Sequence, residues 1–422
     1  MTKLEETKNV NVNVEEKNAA DQTRPEAIVD SSVDFVVDRK VFWGAANRAM
    51  KAVNQKSSIN ALTMLKLTVS TDWVMLTGSD SNITVQALVI SNGQNLKVMT
   101  EGSVLVPATT LDKAVSAMNG NKIHVAMSGE GEENGILIED ENSHLVLPIM
   151  DAKMYPKVDK ELSEIGVINA ADFGMAIEST AYASSVNDDN VHALQAVKLT
   201  FDDDKATFVA TDSHRMSETS VPFTWAESSS KDECCTILLP AAVLKKAIKM
   251  FNIKNGGEAI TVSLAEDKNK IDLRQGKHIH ISVRALSGNY PETNRLWEAT
   301  KDPIASFIVD RSQMRMALNR MFLISDSTHG CTVRATVSAS GFEMRALSPG
   351  VGKLTEHVDV DRAEGDQFKI AFNPHYLDEA LATMPEKAMI HFTGVMSPFT
   401  VDAEGTQTKC LLTPIRVIND ED

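Results

Sequence analysis

One segment of this 422-residue chain occurs nearly unchanged twice, and a weaker third copy lies between the two. The strong copies are residues 35–39 (FVVDR) and 307–311 (FIVDR), and the weaker copy begins at residues 167–169 (VIN). A second marker agrees, because a leucine that follows a predicted helix opening occurs at positions 111, 244 and 377, which lie 133 residues apart each time. The sequence therefore predicts one fold used three times in tandem, since this period is too long for a solenoid repeat.

The domain borders follow from this repeat and from two turn sequences. Residues 154–157 (MYPK) and 288–292 (GNYPE) each place an aromatic residue before a proline, a pattern that ends a strand. Residues 1–31 contain no aromatic side chain and no lasting hydrophobic period, which predicts a disordered tail. We expect three domains, at residues 32–160, 161–299 and 300–422.

The hydrophobic pattern within the copies predicts α+β domains. Residues 40–53 have a helical period, with an apolar face formed by Val41, Phe42, Ala45, Ala46 and Ala49. Residues 65–69 and 73–77 alternate as strands do. The third copy repeats this order, with a helix over residues 313–323 and a strand over residues 332–337. Segregated helices and antiparallel strands are typical of the α+β class.

Composition is that of an ordinary globular chain, with 43% hydrophobic and 24% charged residues. No apolar run approaches the roughly 20 residues that a membrane helix needs, and the N-terminus lacks a signal-peptide pattern. We therefore expect a cytoplasmic protein without membrane contact. The cysteines show no metal-ligand spacing, so we expect reduced thiols at Cys234, Cys235, Cys331 and Cys410.

The distribution of charge matters more than its total. A formal net charge of −16 argues, taken alone, against a nucleic-acid partner. Basic side chains nevertheless recur at helical spacing, at Lys40, Arg48 and Lys51, at Lys245 and Lys249, and at Arg311 and Arg315. For any one helix a solvated surface is the simpler explanation, but recurrence in several copies favours contact with phosphate groups without reading of bases.

Residues 210–216 (ATDSHRM) resemble the ATDGHRL string in the second domain of the bacterial sliding clamp family, the β subunits of DNA polymerase III. Three further landmarks of that family follow in the right order, at residues 287–296 (SGNYPETNRL), 371–377 (AFNPHYL) and 411–417 (LLTPIRV). The resemblance covers everything after the tail.

This resemblance implies a non-catalytic processivity factor without cofactors. Two copies would close head to tail into a ring of six similar domains, with helices lining the hole and antiparallel sheets outside. Duplex DNA would pass through the hole without sequence preference, held loosely by the inner basic residues. Lys56 matches a family position where a basic loop residue touches DNA, although an exposed loop lysine explains it equally well.

The resemblance also implies a hydrophobic cleft between domains II and III. It would accept a short motif from the replicative polymerase α subunit, the clamp loader and other clamp-binding proteins. The predicted wall consists of Leu194, Thr211, Ser213, His214, Arg215, Met216, Pro240, Leu244, Asn373, Tyr376, Pro398, Leu412, Thr413, Pro414, Ile415 and Arg416. Core packing explains any single aliphatic member of this set equally well.

Three positions depart from the family pattern. Ser213 replaces a glycine, which predicts a strained backbone if that position has positive φ. Met216 replaces leucine and Thr413 replaces an apolar residue, so the pocket and its motif preference are expected to differ. These departures and the N-terminal tail leave open a divergent copy carried by a phage or a plasmid.

Ring closure is expected to bury Leu145 and Leu147 of one subunit against Leu323 and Ile324 of the next. The simpler alternative is that Leu145 and Leu147 belong to an inner strand. A strand at the edge of domain I is, however, what a neighbouring sheet would extend.

Other classes of function have weaker support. Residues 212–214 (DSH) contain the residue types of a hydrolase triad, but sequence neighbours on an extended run point to opposite faces. His278 and His280 could share one strand face, yet no third metal ligand is evident. The sequence has no Walker-type loop, so ATP use would belong to a separate loader. A clamp-like decoy, which binds polymerase motifs without encircling DNA, also stays open.

Overall fold

A computed structural model describes residues 33–128, 135–156, 162–186, 192–227, 229, 235–253, 258–324, 332–348 and 350–416. The predicted tail, Cys234 and Cys331 lie outside these residues. The described parts contain both helices and antiparallel strands, as the α+β prediction requires. The α-helices are α1 Arg39–Met50, α2 Ala108–Ala117, α3 Ala170–Thr180, α4 Ala241–Ala247, α5 Asn294–Glu298, α6 Arg311–Ile324 and α7 Pro374–Ala382.

The strands follow the predicted domains in chain order. Domain I has β1 Asp34–Asp38, β2 Met64–Ser70, β3 Trp73–Ser79, β4 Ile83–Ile90, β5 Leu96–Thr100, β6 Gly102–Pro107, β7 Lys122–Ser128, β8 Gly135–Glu139, β9 His144–Leu147 and β10 Met150–Asp151. Domain II has β11 Ser163–Ile168, β12 Ala196–Asp202, β13 Lys205–Thr211, β14 Arg215–Trp225, β15 Cys235–Pro240, β16 Ile260–Leu264, β17 Lys270–Gln275 and β18 Ile279–Arg284. Domain III has β19 Ala305–Asp310, β20 Val333–Ser338, β21 Gly341–Ser348, β22 Gly352–Val358, β23 Arg362–Gly365, β24 Phe368–Phe372, β25 Lys387–Phe392, β26 Phe399–Asp402 and β27 Lys409–Leu412.

The repeated sequence marks the start of the first helix in each domain. The Asp38 carboxylate accepts hydrogen bonds from the N–H groups of Lys40 and Val41 at the N-terminus of α1. Asn169 caps α3 through its side chain, and Asp310 accepts from the N–H of Gln313 in α6. Side-chain oxygens at this position satisfy N–H groups that the first helical turn leaves unpaired. The repeated residue is therefore a helix-capping signal.

The arginine after each aspartate joins the two helices of its domain. Arg39 Nε donates to the carbonyl of Gly120, 2.8 Å away, just beyond α2. Arg311 donates at 2.7 Å to the carbonyl of Met384, just beyond α7. Cations stabilise the carbonyl end of a helix. Domains I and III thus use the same residue to hold a helix pair together.

Two sheets continue across the predicted domain borders. Strand β4 of domain I pairs antiparallel with β18 of domain II, with Gln86 opposite His280. Strand β14 of domain II pairs antiparallel with β27 of domain III, with Arg215 opposite Leu412. Shared ladders of backbone hydrogen bonds fix the relative register of the joined elements. The three domains are consequently linked by sheet as well as by chain.

Two further sheets end in edge strands within the described residues. The first has the strand order β5-β1-β7-β8-β9 in domain I, and the second has the order β22-β21-β20-β24 in domain III. Strand β9 pairs with β8, and strand β22 pairs with β21. Each edge presents backbone groups that a further strand can join.

The predicted strands are confirmed, while the helix predictions need correction. Residues 65–69 and 73–77 lie in β2 and β3, and the 332–337 strand is β20, which begins one residue later. Helix α1 ends at Met50 rather than at residue 53, and α6 begins at Arg311 and ends at Ile324. Val41 is 43% exposed, so its placement on the apolar face was wrong. Phe42, at the next position, is fully buried.

No helix among the described residues is long and apolar enough to cross a membrane.

Candidate partner cleft, basic surface and edge strands

The central feature of the cleft region is the tight turn between β13 and β14. The Asp212 carboxylate accepts hydrogen bonds from the N–H groups of His214 and Arg215, at 2.9 and 3.0 Å. Thr211 Oγ1 donates to the carbonyl of Arg215 and accepts from the N–H of Ser213. Ser213 has φ 74°, the left-handed conformation that favours glycine. The turn is closed by its own polar side chains despite that strain.

Arg215 connects this turn to domain III. Its guanidinium donates to the carboxylates of Asp212 and Glu379, and at 3.1 Å to the carbonyl of Tyr182. The same group lies 4.4 Å from the ring centroid of Tyr376, within cation–π distance. Burial lowers the pKa of Arg215, but the hydrogen bond and negative charge of Glu379, together with the charge of Asp212, outweigh burial and raise that pKa. The two domains therefore share a paired charge that is only 11% exposed.

The segment that follows the last strand of domain III contacts the other side of the turn. The carbonyl of His214 accepts from both the N–H and the Oγ1 of Thr413, each at 2.9 Å. The His214 ring stacks on Tyr376, with 6.5 Å between centroids. Two residues further on, the N–H of Ile415 donates to the carbonyl of Ala371 at 2.7 Å. Thr413, a departure from the family pattern, thus adds a side-chain hydrogen bond between the domains.

The sixteen predicted cleft residues differ in exposure. Five are buried, namely Leu194, Thr211, Met216, Leu244 and Leu412. Three are exposed, namely Ser213, His214 and Arg416, and eight are half-buried, namely Arg215, Pro240, Asn373, Tyr376, Pro398, Thr413, Pro414 and Ile415. Ser213, His214, Arg215, Tyr376 and Thr413 come together around one turn.

Several of these residues also have a structural role. Met216 is 1% exposed and packs with Val209 and Leu411, next to Tyr290 and Trp297. Leu244 and Leu412 belong to the large apolar cores. The Asn373 side chain accepts from the N–H of His375 at the start of α7. These side chains position the surface residues around them.

Sequence reasoning missed Tyr182 and Glu379. Both line a cavity of about 330 Å³ between α3 and α7, together with Met175, Glu178, Ser179, Ala382 and Thr383. Burial strongly raises the pKa of the Tyr182 hydroxyl. Glu379 lies 164 positions from Arg215 in the chain. The local sequence pattern around either residue does not predict this contact.

A group of cations lies where domains I and II meet. Lys51 Nζ, at the end of α1, donates at 3.2 Å to the carbonyl of Lys249, which follows α4. Burial lowers the pKa of Lys51, and the positive charges of Arg48 and Lys249 lower it further. Lys40 and Lys56 are exposed on the same domain. We call Arg48, Lys51 and Lys249 the basic seam.

The predicted basic residues Lys245, Arg311 and Arg315 differ from those of the basic seam, because each lies close to an acidic side chain or a backbone carbonyl. Burial lowers the pKa of Lys245, while the nearby carboxylate of Glu379 opposes that shift. Arg311 donates to a helix-end carbonyl, and Arg315 makes two hydrogen bonds to Asp378 of α7, at 2.8 and 3.2 Å. Farther along α6, Arg320 makes two 2.7 Å bonds to Glu356. The arginines of α6 are thus paired within domain III.

The predicted interface residues lie in edge strand β9 and at the C-terminal end of helix α6, which packs against edge strand β22. Leu145 and Leu147 are in β9, where Leu145 is half-buried and Leu147 is 3% exposed. Leu323 is 75% exposed at the end of α6, and Ile324 is half-buried. Phe322, beside them, is 44% exposed. Leu323 is therefore the apolar side chain most available at this end, whereas Leu147 points into the core of domain I.

The residue sets considered for catalysis and metal binding have other partners. The Asp212 carboxylate holds the backbone of the turn and Arg215 rather than the His214 ring. His280 bridges Asp272 and Gln86 across the β18–β4 pair, at 2.7 and 2.8 Å. Within the described parts of the chain, no group of three or more His, Cys, Asp or Glu side chains could hold a metal ion. Cys235 and Cys410 are buried cysteines.

Comparison with known families matches three consecutive models to the chain. Residues 33–159 match the N-terminal domain of the DNA polymerase III β subunit, residues 167–292 its central domain, and residues 301–416 its C-terminal domain.

Relatives and solved structures agree with these matches. The β sliding clamp of Streptococcus pneumoniae serotype 4 is 27% identical over 391 residues, which cover 91% of this chain and 99% of that protein. The crystal structure of the β subunit from Streptococcus pyogenes DNA polymerase superposes with a TM-score of 0.82 at 27% identity, covering 91% of this chain and all of that one. The sliding clamp of Bacillus subtilis, at 23% identity, shares the fold with a TM-score of 0.83 over 92% of this chain and all of its own. The chain belongs to the DNA polymerase III β subunit family, whose members are DNA sliding clamps.

Proposed function

We propose that two copies of this chain close head to tail into a ring of six domains that encircles duplex DNA and tethers the replicative polymerase. The observation that carries this proposal is a pair of strands that end their sheets within the described residues, β9 in domain I and β22 in domain III. An antiparallel or parallel partner strand can complete such an edge. The exposed Leu323 beside β22 supplies apolar area for the same contact.

DNA would meet the basic seam first. Burial first, and then the neighbouring charges of Arg48 and Lys249, lower the pKa of Lys51, so its positive charge is held unfavourably in the free protein. A phosphate group beside Arg48, Lys51 and Lys249 would relieve that repulsion. Such contacts depend on charge and not on base sequence. We propose the same role for Lys40, Lys56 and Lys245, and a smaller one for Arg311 and Arg315, whose hydrogen-bonding groups already have protein partners.

The cleft would bind a linear motif with an apolar or aromatic anchor. The stacked His214 and Tyr376 rings and the half-buried Pro240, Pro398 and Pro414 offer flat apolar surface for such an anchor. The hydrogen bonds of Arg215 and Thr413 hold the two sides of the cleft in place before a ligand arrives. We propose the polymerase α subunit, the clamp loader and other motif-bearing proteins as ligands, with no chemistry performed by this chain.

Retention on DNA of different topology tests the proposal. The chain, loaded by a cognate loader complex, is expected to stay on nicked circular DNA through gel filtration and to leave once the circle is cut. A Tyr376→Ala variant should still be retained but should lose binding to a Gln-x-x-Leu-Phe peptide.

Two outcomes would contradict this account. Equal retention on linear and circular DNA would show ordinary surface binding instead of encirclement. Motif-peptide binding without any retention on circles would identify a decoy.

A further inference from the structure

Helix α1 has an aromatic side chain on its exposed side, away from the hydrophobic core. Trp43 is 37% exposed. Within the described residues its indole makes no hydrogen bond and no contact with another ring or a cation. An indole combines a flat apolar surface with one N–H donor, and both are of use to a ligand. Trp43 is therefore available for contact with another molecule.

The repeated sequence shows that domain III uses the same position differently. Trp43 and Arg315 each lie four residues after the repeated arginine, in α1 and α6. Arg315 makes two hydrogen bonds to Asp378 of α7. Asp112 of α2, the counterpart of Asp378 in the repeat, accepts a hydrogen bond from Asn47 instead. The polar contact between the two helices of domain I thus leaves Trp43 without a structural partner of this kind.

Positive charge and open space lie on the same side of α1. Lys40, Gly44 and Arg48 recur at intervals of four, so they lie along one face of the helix. In the part of the chain that the structure describes, the side chains of Lys40 and Arg48 have no ion pair or hydrogen bond. A Cβ added to Gly44 would meet nothing within 4 Å beyond the helix itself. A ligand can consequently approach this face closely.

The order of these residues suits an anionic ligand with flat apolar groups. Lys40 and Arg48 are eight residues apart, or about 12 Å along the helix, and Trp43 lies between them. Single-stranded DNA offers phosphates to cations and exposed bases to aromatic rings. In a duplex each base is stacked between its neighbours, so an indole could reach only the edges of bases and the sugars. An aromatic side chain between two cations therefore favours a single strand over a duplex.

We propose that Trp43 stacks on an unpaired base of single-stranded DNA while Lys40 and Arg48 contact the adjacent phosphates. The inference rests on the proposed function, which turns α1 toward the DNA inside the ring. It adds a preference to that function. Continuous duplex is held through phosphates alone, whereas DNA with an unpaired strand, as beside the end of a primer, gains one stacked base.

Affinity for matched oligonucleotides provides the test. A dye-labelled oligo(dT) and a duplex of the same length are titrated with the full chain, and binding is followed by fluorescence anisotropy at several salt concentrations. We expect Trp43→Leu to bind the single strand about tenfold more weakly, as the loss of one stacked base predicts. Its affinity for the duplex should equal that of the wild type. The slope of affinity against salt concentration should also stay the same, because no charge is removed.

Two further variants separate stacking from simple packing. Trp43→Phe should keep most of the affinity for the single strand, because its ring can still stack. Met316→Ala, at an exposed position of α6, is the matched control and should bind both oligonucleotides as the wild type does. Melting curves of all three variants check that each is folded, which is expected at exposed positions.

Three outcomes would overturn the proposal. The first is a wild-type chain that does not bind oligo(dT) at low salt, and the second is equal binding of oligo(dT) by the wild type and Trp43→Leu. The third is equal weakening of single-strand and duplex binding, which would assign Trp43 to the sugars or the groove of a duplex. These titrations need neither a loader nor a circle. Failed retention on circular DNA would therefore contradict the proposed ring and leave base stacking by Trp43 to be judged by its own result.

Discussion

Arg215 shows how one side chain can fix the relation between two domains. Its partners are Asp212 in the same turn, the Tyr182 carbonyl in domain II, and Glu379 and Tyr376 in domain III. The sequence alone placed Arg215 and Tyr376 at one surface only through family resemblance. Its pairing with Glu379 could not be predicted, because contacts between distant segments leave no periodic signal in the chain. Removing one partner of such a poorly exposed pair leaves a costly unpaired charge.

Ser213 has a left-handed backbone conformation, which a residue other than glycine rarely adopts. At φ 74° a side chain with Cβ is strained, and β-branched residues are strained most. We predict that Ser213→Gly raises the free energy of unfolding by up to about 1 kcal/mol, since part of the relief is offset by the greater entropy of unfolded glycine. Ser213→Val should lower it by more than about 1 kcal/mol. Urea denaturation of both variants measures this, and equal stability would show that the turn is unstrained.

His124 is expected to make stability depend on pH. It bonds to Glu139 and Asp34 on the domain I sheet, with His144 on the other oxygen of Glu139. The Glu139 hydrogen bond raises the pKa of His124 against the effect of burial, and bonding to His124 lowers the pKa of Glu139. The histidine contribution is therefore complete below its unfolded pKa of about 6.5 and disappears as pH rises through the higher folded value.

We predict that the melting temperature of the wild-type chain falls between about pH 6 and pH 8 more steeply than that of His124→Gln. The carboxylate contribution is present above the unfolded pKa of Glu139 and disappears only in stronger acid. His278→Gln, at an exposed position, is the matched control. Parallel melting curves for wild type and His124→Gln would contradict the prediction.

At the scale of secondary-structure elements, the sequence predicted those helices and strands that depend on local patterns repeated along the chain. The capped helices after Asp38 and Asp310 and the alternating strands β2 and β3 follow from period and capping chemistry. The predicted helix ends and the predicted burial of Val41 were wrong, because a residue at the border of an apolar face can point to the core or to solvent. The β4–β18 and β14–β27 pairings between domains could not be read from the sequence, since an edge strand has the same pattern whichever strand it joins.

Helix α1 and the segment after α4 together form the basic seam, which has a measurable consequence. Lys51→Gln removes a charge that is repelled by Arg48 and Lys249 in the free chain. We predict that stability is unchanged or slightly higher, while the slope of DNA affinity against salt concentration becomes shallower by about one unit, because one phosphate no longer has its cation. Affinity measured at several salt concentrations checks this. Lys277→Gln is the control, and an unchanged slope for Lys51→Gln would remove Lys51 from the DNA surface.

The end of α6 is predicted to be half of the subunit contact. Leu323 is 75% exposed there, an unusual position for a leucine unless another surface covers it. We predict that Leu323→Asp with Ile324→Asp converts dimers to monomers in sedimentation velocity without unfolding domain III. Met316→Asp, at another exposed position of the same helix, should remain dimeric. An unchanged sedimentation coefficient for the double variant would refute this interface.

At the scale of the whole molecule, the negative net charge and the basic seam are both consistent with DNA inside a ring. We predict that the excess of acidic residues, a net charge of −16, repels DNA from the outer surface, and that the seam where domains I and II meet attracts it. Arg315 and Arg320 are bonded to carboxylates, so helix α6 offers DNA less unpaired positive charge than the seam does. DNA inside a ring of two copies is therefore expected to lie closer to the two seams than to either copy of domain III.

Single-particle imaging of the chain bound to duplex DNA tests the central claim most directly. We predict a closed ring of two copies with six domains, strand β9 of each copy beside β22 of the other, and the duplex inside the hole nearest to Lys51 and Lys249. An elongated particle, or a ring with DNA on its outer surface, would contradict this account.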